Sequence, residues 1–127
     1  MERHFTSPLH RERFMDMMAE DGTYPGDSER GSLFYIIAGN DDLYRKRRFI
    51  YDPREHVIRA CLASAEVDFS SSMRSLIRLG FNLYNGWSDE YTTPRLLFNS
   101  LDDRNLLIAE KAIMIRFHAG LLGRLTE

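Results

Sequence analysis

Cys61 is the only cysteine in the 127 residues, and His56 stands five positions before it. A thiol attacks at neutral pH only when a neighbouring base or cation favours the thiolate. This pair is therefore the one arrangement that could support covalent catalysis. No flanking motif backs it, and a lone cysteine ordinarily behaves as a small buried apolar group. His4, His10, His56 and His118 have no metal-ligand spacing, with neither HExxH nor Glu-x-x-His in the chain. The doublets Asp41-Asp42 and Asp102-Asp103 resemble paired carboxylates for acid–base work, but both fall where helices should start, and capping explains them. There is no glycine-rich phosphate loop. The residues thus predict no catalytic group, no metal and no cofactor, and a protein that is not an enzyme.

A second constellation is the run Arg45, Lys46, Arg47, Arg48 within "DDLYRKRRFIYD". On a helix each residue turns about 100°, so four consecutive cations fan around the axis. Arg45 and Arg48 would share one side, with Lys46 nearly opposite Arg48. Acid-first pairs Asp41–Arg45 and Asp42–Lys46 would each contribute about 0.2–0.5 kcal/mol. That leaves Arg47 and Arg48, with Arg45 beside them, as candidate contacts for phosphate or an acidic partner. Tyr44 or Tyr51 could add base stacking. The chain as a whole carries 17 basic and 19 acidic residues, net −2, without the basic excess of a dedicated nucleic-acid binder.

The third constellation is "NLYNGWSDEYTTP". It holds the only tryptophan, Trp87, between Tyr84 and Tyr91, with Asp89 and Glu90 in between. Tryptophan and tyrosine dominate binding hot spots because they bury large area at small entropic cost. An exposed loop of this composition would suit a basic protein partner. The alternative is that Trp87 folds back over the core.

These residues need elements to hold them. Apolar residues make up 43% of the chain and charged residues 28%, which is ordinary for one globular domain with its own core. Ser7-Pro8 opens a first helix to about Asp21, with Leu9, Phe14, Met17 and Met18 inward. Asp27 or Ser28 starts a second through "LFYIIA" to Gly39. That run could also be a buried strand, although "DSER" before it and Gly-Asn after it favour helix. Asn40 should cap a third helix through the basic run, ending before Asp52-Pro53. Residues 54–70 carry weaker signals, with short strands or irregular packing near Val57-Ile58 and Cys61-Leu62. Met73, Leu76, Ile77, Gly80 and Tyr84 mark a fourth helix stopped by Asn85-Gly86. Thr93-Pro94 begins a short fifth, and Asp102 caps a sixth reaching Phe117 or His118, expected to be the central one. Residues 119–127 form a frayed or docking tail. The expectation is an all-α, compact single-domain bundle of five to six helices.

The charged N-terminus has no apolar signal region, no stretch approaches the ~20 apolar residues of a membrane span, and the single cysteine suits a reducing compartment. The chain is therefore expected to be cytoplasmic, with no membrane partner.

The segments "SLFYIIAGNDDLYRKR", "IYD", "RLGFNLYNG" and "LDDRNLLIAEKAIMIRF" resemble a family of short uncharacterised proteins of Gram-positive bacteria, their phages and mobile elements. The resemblance runs from about His4 to Phe117 and implies a compact, mostly helical cytosolic protein. It carries no functional residues with it. The functional expectation is a small interaction protein acting on a host protein through Trp87, Tyr84, Tyr91, Asp89 and Glu90. The alternative is a nucleic-acid-associated protein using residues 45–48.

Overall fold

The computed structural model describes residues 4–118 and 120–127. Expectations for the charged first three residues and for Ala119 in the tail therefore lie outside the described residues. Helix α1 (Pro8–Asp21) starts where expected: the Ser7 hydroxyl accepts from the His10 N–H, and Gly22 closes the helix at φ 68°. Phe14, Met17 and Met18 are buried, but Leu9 is 46% exposed and His10 takes the inward position. The buried stripe is 10, 14, 17, 18 and 21, a helical series that position 9 misses by one residue. His10 is fully satisfied inside: its Nε2–H donates to the Tyr35 carbonyl (2.9 Å), and Nδ1 accepts from the Thr6 N–H (3.1 Å).

Helix α2 (Ser28–Gly39) is capped by the Asp27 carboxylate, and every residue from Gly31 to Gly39 is buried. The apolar run is thus helix, not strand. With no solvated side left over most of its length, α2 is the central element, packed against α1, α4 (Ser71–Asn85) and α6 (Asp103–Phe117). The sequence had pointed to α6 for that role. In α6 the buried residues Asn105, Ile108, Ala109, Ala112 and Ile115 form one stripe, and Leu107, Met114 and Phe117 face solvent.

The third helix is shorter than expected. Helix α3 (Asp41–Arg45), capped by Asn40, stops at Arg45, and residues Arg47–Phe49 form a 3₁₀ turn instead. One cause is local. The Arg47 guanidinium donates to the Tyr44 carbonyl (2.9 Å), the acceptor that a continuing α-helix would give to the Arg48 N–H. The turn lets both Leu43 and Ile50 reach the core, each fully buried.

Strands β1 (Tyr51–Asp52) and β2 (Val57–Ile58) pair antiparallel, Tyr51 opposite Ile58 and Asp52 opposite Val57. A 3₁₀ turn over Cys61–Ala63 follows, so of the two places where short strands or irregular packing were expected, Val57-Ile58 is a strand and Cys61-Leu62 is not; β1 begins before them, at the end of the segment expected to be the third helix. Helix α4 ends at Gly86 (φ 82°). Helix α5 (Pro94–Phe98) is capped by Thr93, and α6 by Asp102. The tail docks as α7 (Leu121–Leu125) with Leu121, Leu122 and Leu125 buried. The mostly α expectation holds, at seven α-helices among the described residues; the tail supplies the seventh. No helix of the described residues is long and apolar enough to cross a membrane.

Candidate functional site, a cleft between β2 and the end of α4

One wall of the cleft is carried by the β1–β2 hairpin, and a buried carboxylate holds that hairpin in place. Asp21, at the last position of α1, has a side chain only 1% exposed. Its Oδ1 accepts from the Tyr51 hydroxyl (2.8 Å) and from His56 Nδ1–H (2.8 Å), and its Oδ2 accepts from the Thr23 hydroxyl (2.6 Å). The Arg30 Nε lies 3.8 Å from Oδ2. Burial alone would push this carboxyl up. The three hydrogen bonds and the Arg30 charge outweigh it and hold the group below the usual carboxylate range. His56 adopts φ 57°, a left-handed conformation that costs a non-glycine residue about 1 kcal/mol or more. The Asp21 bond and a bond from the Tyr84 hydroxyl to the His56 carbonyl (3.0 Å) fix it there. Nothing in the spacing of Asp21, Tyr51 and His56 announces this network, because its members are 30 and 35 positions apart along the chain.

Beyond His56 the chain runs through β2 into the 3₁₀ turn, and there it faces the end of α4. Ile58, Ala60, Leu62 and Ala63 on one side, and Phe81 and Trp87 on the other, enclose a cleft of about 250 Å³. Arg59 is the single charged residue in its lining. Trp87 is half-buried and meets Phe81 edge to face, ring centroids 5.5 Å apart at 81°. Its backbone is pinned at both ends: its N–H donates to the Asn85 side chain (2.9 Å), and its carbonyl accepts from the Asn82 amide (3.1 Å). The indole therefore folds back against the core and still forms a wall of an open cleft. Of the two sequence alternatives, the one in which Trp87 folds back over the core holds.

The remaining loop residues divide. Tyr84 is half-buried and spent on His56. Asp89 accepts from Arg78 Nε (2.9 Å), from the Thr92 hydroxyl (2.8 Å) and from the Tyr91 N–H (3.0 Å). Against the upward push of burial, these bonds depress its pKa. Tyr91, 49% exposed, lies under the Arg78 guanidinium at 4.8 Å. Of the two acids, only Glu90 is fully on the surface.

The basic run is not a patch. Arg45 pairs with Asp42, one turn away, and Asp41 is taken by Arg13 (2.6 Å) from α1. Lys46 donates to the Asp68 carbonyl and sits 5.4 Å over the Phe69 ring. Arg47 stacks on Tyr44 at 4.1 Å, and Arg48 pairs with Glu20. The expected Asp41–Arg45 and Asp42–Lys46 pairs do not form: Arg13 takes Asp41, Arg45 takes Asp42, and Lys46 turns to the Asp68 carbonyl. Arg48 is thus neutralised by Glu20, whereas Arg47 is held on Tyr44 and has no carboxylate partner among the described residues. Cys61 is buried, and burial raises its thiol to about 11 against weaker lowering by Arg74 and Arg59. The imidazole of His56 is bonded to Asp21.

Residues 1–121 match a family of unknown function, DUF6075. The chain belongs to that family. No curated protein and no solved structure matches it. The matched region spans both walls of the cleft, residues 58–63 and 81–87, and the Asp21 network that positions one of them. Ile58, Leu62 and Phe81 were not singled out from the sequence. Their signal was confined to apolar character, which core residues share.

Proposed function

We propose that this protein acts without catalysis, by binding another protein, and that the β2–α4 cleft takes one large apolar side chain of that partner. The observation that carries the reading is the cleft itself: the chain's only tryptophan, pinned at both backbone ends, walls an apolar space of about 250 Å³. Small-molecule sites usually enclose roughly 300–1,000 Å³ and converge several polar groups on the ligand. This one has the size and lining for a side chain. Burying a leucine, methionine or phenylalanine there is worth about 1.5–3 kcal/mol. The residue next to that anchor on the partner is acidic. Arg59 donates to the Arg48 carbonyl (2.7 Å) and forms no ion pair with a carboxylate among the described residues. Asp89 is committed to Arg78, which argues against a strongly basic partner. Contact with nucleic acid through Arg45, Arg47 and Arg48 is disfavoured because the three side chains are drawn to separate partners. On this reading the protein works in the cytoplasm, is carried by a phage or other mobile element of a Gram-positive host, and binds a protein of that host.

The test is selection of a random twelve-residue peptide library displayed on phage against the wild-type protein. Affinities are then measured for Trp87→Ala and Leu62→Asp, with circular dichroism confirming that both variants fold. Selected peptides should share one large apolar residue flanked by an acid and should lose about 10- to 100-fold in affinity for either variant. Equal affinity for wild type and both variants would contradict the reading.

A further inference from the structure

The register of the hairpin says how such a segment would lie. Tyr51 stands opposite Ile58, and the Arg59 N–H donates to the Ile50 carbonyl (2.8 Å). In an antiparallel pair, residues alternate between turning their backbone groups toward the partner strand and away from it. Val57 and Arg59 therefore turn toward β1, and the N–H and C=O of Ile58 turn away. No third strand pairs with β2, and neither group of Ile58 has a hydrogen-bond partner among the described residues. An unpaired donor and acceptor side by side on an open edge is a template for one residue of another strand. Ile58 also lines two hollows. One is the apolar cleft at Trp87. The other, of about 330 Å³, lies between the hairpin, the start of α2 and the end of α4, with Arg30, Tyr84 and Asn85 in its wall. The open edge of β2 thus joins an apolar space to a polar one.

We infer that the partner segment binds in extended form as a third strand on β2, exchanging two backbone hydrogen bonds with Ile58 and placing its apolar anchor in the Trp87 cleft. This rests on the proposed function and specifies its mode. Backbone pairing supplies a sequence-independent hold, the cleft supplies selectivity, and Arg59 favours an acidic residue beside the anchor. A helical partner would gain the cleft contact but leave both Ile58 groups unpaired.

The test uses the phage-selected peptides with the full-length protein. Amide hydrogen exchange is followed by NMR with and without saturating peptide, and each peptide is remade with single backbone N-methyl groups. Exchange at Ile58 should slow at least tenfold, with the Val57 amide, turned toward β1, and the Arg59 amide, bonded to the Ile50 carbonyl, changing little. One N-methyl within two residues of the anchor should cost at least tenfold in affinity. Peptides that need Trp87 but leave Ile58 exchange unchanged would overturn strand addition and leave the cleft reading standing. Recovery of no peptide that depends on Trp87 would overturn both.

Discussion

Three side chains show how burial sets chemistry at the scale of the residue. His10 sits in the core, and burial lowers its pKa from 6.5 to about 4, helped by the Arg104 and Arg13 charges and opposed by its bond to the Tyr35 carbonyl. Folded protein leaves this imidazole neutral at pH values where the unfolded chain protonates it. Stability should therefore fall as pH drops from about 6.5 toward 4, by about 3 kcal/mol in total. Urea unfolding across that window checks it: wild type should lose midpoint steadily, and His10→Gln should give a flatter profile. Asp21 has the opposite charge and the same sign of dependence, because its depressed carboxyl stabilises the fold above the ordinary carboxylate range and that gain is lost on acidification through it. Asp21→Ala leaves the Tyr51 and Thr23 hydroxyls without their acceptor. It should cost about 3 kcal/mol in urea unfolding and release the hairpin first, seen as faster hydrogen exchange at residues 51–58. Cys61 is the simplest case. A buried thiol raised to about 11 should resist a disulfide reagent in native protein at pH 7.5 and react at once in urea. Rapid labelling of native protein would revive a Cys61 nucleophile.

Among the elements, those with explicit punctuation were legible and those shaped by side-chain competition were not. Ser7-Pro8, Asp27, Asn40, Thr93-Pro94 and Asp102 all cap the helices assigned to them, because a cap is a local interaction between neighbours in sequence. The early end of α3 depends on the Arg47 guanidinium turning back to the Tyr44 carbonyl, and composition does not encode that choice. The rank of α2 over α6 depends on close approach. Gly39 is where α2, α6 and α1 meet: a methyl group there would lie 2.8 Å from Ile108 Cδ1 and 3.1 Å from His10 Nε2. The imidazole is held by its bond to Tyr35 and cannot yield. Gly39→Ala should therefore destabilise by about 1–3 kcal/mol, despite alanine's higher helix propensity. A urea midpoint equal to wild type would show that the crossing is looser than this.

For the molecule as a whole, the helical architecture could be read from apolar periodicity and caps, but the site could not. Trp87 drew attention by its chemistry. The cleft it walls exists only because Asp21, Tyr51 and His56 bring a two-residue strand against the end of α4, a juxtaposition set by tertiary packing. The basic run drew attention by its density, and packing then dispersed it. What remains is a helical scaffold with a groove beside an open strand edge, the surface on which the proposed extended segment would lie. Because Trp87 is the only tryptophan, its fluorescence reports on that groove directly. Titrating wild-type protein with a selected peptide that itself lacks tryptophan should shift the indole emission to shorter wavelength as the cleft dries. The curve should saturate at the Kd found by calorimetry, and Leu62→Asp should abolish it. Calorimetric binding with no change in Trp87 emission would place the partner elsewhere and contradict the account.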